Sequence, residues 1–166
     1  MSIEEELAEL ARQRESVDDA DRNYLLPEPA ILLRQLRAYL ARQADYGRIR
    51  RTNEKIPQLT AVPGGLDELA CPSIRFSSGC RLDFNIRLVK RQQGWMLHQF
   101  KFHLRLPRKV HMVRIHLNTV PSREPHVVPR CHLHIGDSKA HIPFPLMNPR
   151  LILDLLCERI EPDLGI

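Results

Sequence analysis

Residues 81–135 alternate between apolar and polar side chains in four successive stretches. Leu82, Phe84, Ile86 and Leu88 interleave with Arg81, Asp83, Asn85 and Arg87. After the turn signal Gln92-Gln93-Gly94, the residues Phe100, Phe102, Leu104 and Leu106 interleave with Gln99, Lys101, His103 and Arg105. Pro107 breaks that run, and Val113, Ile115 and Leu117 then alternate with Met112, Arg114, His116 and Asn118. Beyond a proline-rich loop, Cys131, Leu133 and Ile135 alternate with Arg130, His132 and His134. Successive side chains of a strand point to opposite faces, so each stretch predicts a strand with one oily side and one polar side. Gly136-Asp137 then turns into a short segment over residues 140–144, where Pro143 and Pro145 allow only an edge position.

Helical spacing flanks these strands. Ser2 and Glu5 form a capping-box pattern, and Ile3, Leu7 and Leu10 repeat on one side, predicting a helix over about residues 3–15. Pro29 suits the first turn of a second helix, whose face carries Leu32, Leu33, Leu36, Tyr39 and Leu40 and which stops at Gly47. Residues 52–72 read as loop. Asn148 as cap and Pro149 in the first turn open a last helix with Leu151, Ile152, Leu155, Leu156 and Ile160 on its apolar side, closed by Pro162. The expected fold is α+β: an antiparallel meander of four to five strands, its apolar face covered by two N-terminal helices and one C-terminal helix.

At 166 residues the chain is expected to form one domain. Its charge is uneven. Residues 1–22 carry a net −5, so the rest of the chain carries +10 of the total +5. The expected organisation is an acidic, peripheral N-terminal helix and linker (1–22) on a basic body (23–166). Cys71, Cys80, Cys131 and Cys157 lack close-paired spacing, and no apolar leader or membrane span is visible. Reduced thiols, a cytoplasmic location and no membrane partner are the corresponding expectations.

All eight histidines lie between His98 and His141. If the strands pair in sequence order, one sheet face gathers Arg87, Lys101, His103, Arg105, Arg114, Asn118 and Arg130, with His116, His132 and His134 among them. Opposed like charges destabilise a sheet, so such a face implies a bound anion, an acidic cover or plain solvation. The expected partner is nucleic acid, RNA ahead of DNA. The alternative is a non-catalytic subunit whose basic face docks an acidic protein or the acidic segment 1–22.

His116, His132 and His134 are the candidate catalytic residues. Imidazoles that titrate near neutral pH can serve as general base and acid in cleavage by a 2′-hydroxyl route, with an Arg or Lys steadying the phosphate. The same three could ligate a transition metal, but dense positive charge opposes a divalent cation, so no metal and no cofactor are expected. His98 and His111 fall on the oily rows, while His126 and His141 read as surface groups. Cys131 points inward, and Trp95 caps the core. With aromatic residues at 5%, no base-stacking platform is expected on the polar face. The chain shows no Gly-rich phosphate loop, dinucleotide fingerprint, serine elbow or zinc finger.

Overall fold

The four alternating stretches become neighbouring strands of one antiparallel sheet. A computed structural model describes residues 25–51, 56–108, 111–119, 123–124 and 127–162. In chain order these form β1 (Leu25–Leu26), α1 (Pro29–Asp45), β2 (Gln58–Val62), β3 (Leu66–Arg75), β4 (Arg81–Arg91), β5 (Gly94–Arg105), β6 (His111–Leu117), β7 (Cys131–Ile135), β8 (Ile142–Pro143) and α2 (Pro149–Asp154). Strands β2 to β8 pair strictly in sequence order, and β1 pairs with β5 beside Trp95 and Met96. The sheet is therefore larger than the four to five strands expected.

Of the additional strands, β1 precedes the first described helix, and β2 and most of β3 occupy the segment read as loop. Pro63-Gly64-Gly65 is a hairpin turn, with Val62 opposite Leu66 and both glycines at positive φ (93° and 71°). Residues without a Cβ take that conformation at no steric cost. Pro72 had argued against a strand, and the β3–β4 register shifts between Cys71 and Ile74, so the proline falls at the irregularity.

Two helices are described; the one expected over residues 3–15 lies outside the described residues. Helix α1 buries Leu32, Leu36, Tyr39, Leu40 and Gln43. The Asn148 side chain accepts a hydrogen bond from the Arg150 amide at 2.9 Å, and α2 continues as a π-helical turn over Leu155–Ile160. Its buried residues are Ile152, Leu153, Leu156 and Cys157, whereas Leu151, expected on the apolar side, is exposed. These helices share one hydrophobic cluster with Leu82, Phe84, Ile86, Phe100, Phe102, Leu104, Ile115 and Leu117 of the sheet. Within it Phe84 stacks on Phe102 with ring centroids 5.2 Å apart, and Phe100 meets Phe102 edge-on at 5.6 Å. The oily face is thus occupied, which leaves the polar face to do the chemistry.

Candidate functional site

Register fixes which polar residues meet. Across strands β4 to β7, Asn85, Lys101, His116 and His132 lie side by side in one row. The adjoining row is Asp83, His103, Arg114 and His134. Directly opposed residues of an antiparallel pair lie about 5 Å apart, close enough for side chains to touch. The three candidate catalytic histidines and three of the candidate ligand residues (Lys101, His103 and Arg114) therefore surround one area.

The imidazoles form a connected cluster. His103 Nε2 and His116 Nε2 are 2.8 Å apart. The His116 ring lies 5.5 Å from that of His132 and 5.4 Å from that of His134. His132 and His134 are 5.0 Å apart, and the ring of His141 packs against both at 4.7 and 4.6 Å. His116, His132 and His134 each offer a ring nitrogen within 4.8 Å of the other two. His141, expected as a surface group near an edge, is thus a member of the cluster. Its position comes from the short β7–β8 connection, which sequence periodicity does not describe.

The cluster is not the open wet face that alternation suggested. His132 is 2% exposed and His134 is 7% exposed. The connection after β7 is held near the sheet by Arg114, whose guanidinium donates to the carbonyl of Ser138 at 3.1 Å and approaches that of Gly136 at 3.5 Å. Burial has an electrostatic consequence, because removing an imidazole from water disfavours its charged form. Desolvation, then His103, His132, His134 and Lys101, push His116 down to about 3. His132 is lowered by burial and by its neighbours His141 and His134, against the opposing bond to Pro129. His134 is lowered by burial, Arg114 and His141, with the carbonyls of Ser138 and Ala140 opposing. All three rings are thus shifted towards the neutral form.

Hydrogen bonds also set the tautomer of His132. Its Nδ1 lies 2.7 Å from the Pro129 carbonyl oxygen, which can only accept, so Nδ1 carries the proton and Nε2 presents a lone pair. His134 Nδ1 is buried with no hydrogen-bond partner.

The cations divide into two groups. Arg87 pairs with Glu68 at 2.6 Å, and Arg105 with Asp83 at 2.7 Å, so internal carboxylates already neutralise both. Asp83 Oδ2 also lies 3.8 Å from His103 Nδ1. Lys101 stands exposed in the middle of β5. Arg130, at 8% exposure, donates from Nε to the Asn118 carbonyl at 3.2 Å and leaves Nη1 buried without a partner. Asn118 contributes through its backbone, whose amide N–H also donates to the Arg130 carbonyl at 2.9 Å.

His98 departs from its expected oily-row position. The β4–β5 register shifts between Arg87 and Leu88: Gln99 pairs with Arg87, Leu97 with Leu88, and His98 is the extra residue of a bulge. Leu97 is buried in its place, while Arg91, Arg130 and Arg87 act on His98 after burial itself to lower its pKa. Half-buried His98 therefore leaves the oily row, and one extra residue in the strand had hidden this. Cys131 is buried as expected, and Trp95 packs at the margin of the core. No helix among the described residues is long and apolar enough to cross a membrane.

Comparison of the chain with protein-family models, with curated proteins and with solved structures yields no match.

Proposed function

We propose that the protein binds a phosphate-bearing ligand, with nucleic acid and RNA in first place, on the polar face of the sheet. One observation carries this reading: the buried guanidinium of Arg130 has an unpartnered Nη1, and its charge joins those of Arg91 and Arg87 in acting on His98. Leaving a buried charged donor unsatisfied costs on the order of 1–3 kcal/mol or more. A phosphate oxygen would remove that penalty and balance the surrounding positive charge. Exposed Lys101 extends the same field along β5. Arg114 and Arg105 contribute less, because one braces a connection and the other faces Asp83.

Binding is favoured over catalysis. Acid–base cleavage through the 2′-hydroxyl requires one imidazole to arrive protonated, and burial disfavours the protonated form of His116, His132 and His134. Fluorescence anisotropy of a labelled single-stranded RNA, with polyglutamate as competitor, tests the proposal. RNA should bind at low salt and resist an equal charge concentration of polyglutamate. Displacement by polyglutamate at parity would favour the acidic-protein reading, in which segment 1–22 or another chain covers the face.

A further inference from the structure

Three histidines converge on one point from two adjacent strands, and nucleic-acid binding gives them no role. His116 lies directly opposite His132, and His134 follows two residues later on the same side of β7. Their nearest ring nitrogens all fall within 4.8 Å of one another. A tetrahedral centre with Zn–N bonds of about 2.0–2.1 Å needs its nitrogens about 3.3 Å apart, so small rotations of the rings suffice to close the set.

We propose that His116, His132 and His134 bind one divalent late transition-metal ion, of the zinc, cobalt or nickel type, with the fourth coordination position open. This inference stands apart from the nucleic-acid reading and survives its failure. Two details of the rings support it. A metal-ligating histidine characteristically gives its other ring proton to a carbonyl or carboxylate, which fixes the ring and raises its basicity. His132 does this through Nδ1 and Pro129, leaving Nε2 as the donor atom. His134 is 7% exposed and its Nδ1 has no hydrogen-bond partner, so that nitrogen is not committed elsewhere.

Part of the positive charge that argued against a metal in the sequence is neutralised by carboxylates, while Arg114 and Lys101 remain as opposing charges beside the site. The Arg114 guanidinium, opposite His134, points to the carbonyls of Ser138 and Gly136, while Arg105 and Arg87 face carboxylates. Lys101, opposite His116, remains as an opposing charge. On the remaining side, His103 Nε2 lies 2.8 Å from His116 Nε2 and orients the His116 ring. Nitrogen donors without carboxylate or thiolate suit late transition metals and disfavour magnesium and calcium.

The test uses full-length protein without a histidine tag, stripped with chelator and dialysed against zinc or cobalt. One equivalent of metal per chain should be retained, and cobalt should develop the visible absorption of a four-coordinate centre. X-ray absorption at the metal edge should show nitrogen and oxygen neighbours and no sulfur, which separates this site from the four cysteines. His134→Gln and His116→Gln should each weaken retention at least tenfold, while His98→Gln leaves it unchanged. Circular dichroism of each variant confirms folding, and the X-ray spectrum of the unmutated protein decides the matter if a variant unfolds. No retained metal, sulfur in the first shell, or equal loss in His98→Gln would overturn the proposal.

Discussion

His103 and His116 face each other across β5 and β6 with their Nε2 atoms 2.8 Å apart. A hydrogen bond between two imidazoles needs one ring to donate and the other to accept, so the pair cannot carry two positive charges and keep this contact. Two basic residues chosen for a cationic face thus carry at most one positive charge between them while this contact holds. His103→Ala should remove one part-buried hydrogen bond and lower stability by about 1 kcal/mol, as read from urea unfolding. An unchanged midpoint would mean that the contact contributes nothing to folding.

The core prediction concerns Phe102, fully buried between Phe84 and Phe100. Phe102→Ala should destabilise the protein by about 3–5 kcal/mol through lost burial and the cavity left behind. Leu151→Ala, on the exposed side of α2, should stay within about 0.5 kcal/mol. Paired denaturant titrations make the comparison, and similar losses at both sites would contradict the assignment of the core.

Glu68 lies 2.6 Å from Arg87 across β3 and β4. Glu68→Gln should cost little stability, about 0–1 kcal/mol for a partly exposed pair, while releasing the Arg87 charge. RNA affinity in anisotropy should rise a few-fold. An unchanged affinity would place Arg87 outside the ligand footprint.

The cysteines predict behaviour at alkaline pH. Burial pushes the Cys71 thiol up to about 12 and, with Glu161, Glu158 and Asp154 assisting, the Cys157 thiol up to about 12. Above the ordinary thiol value near 9, the unfolded chain has lost protons that the folded chain keeps. Stability contributed by these thiols is therefore complete below pH 9 and falls as pH rises towards 12, by at most about 1.4 kcal/mol per unit per thiol. Tyr39 is displaced upward as well, first by desolvation, and acts in the same direction. Thermal unfolding should show a falling Tm between pH 8.5 and 10.5, and iodoacetamide should label neither Cys71 nor Cys157 in the folded protein. Rapid labelling of either would contradict the packing of β3 or of the π-helical turn.

Much of this site was legible in the order of residues. Period two alone put His116, His132 and His134 on one side of the sheet, because no bulge falls between His116 and Leu117 or within β7. Asn148 and Pro149 marked the start of α2 for the same local reasons that fold it. Legibility failed where pairing departs from regularity. The β2–β3 hairpin hid behind Pro63-Gly64-Gly65, since glycines that make a turn also make a loop. His98 was misplaced by one bulge, and His141 by a connection whose path depends on Arg114. The partners of Arg87 and Arg105 were equally invisible, for Glu68 and Asp83 meet them across strands, not along the chain.

The most direct measurement for the proposed ligand is the salt dependence of RNA affinity in the unmutated protein and in Arg130→Gln. Affinity should fall steeply from low to physiological salt, and the variant should bind more weakly with a slope of log affinity against log salt that is smaller by about 1. Absence of RNA binding at low salt, or an Arg130→Gln slope and affinity equal to those of the unmutated protein, would contradict the account.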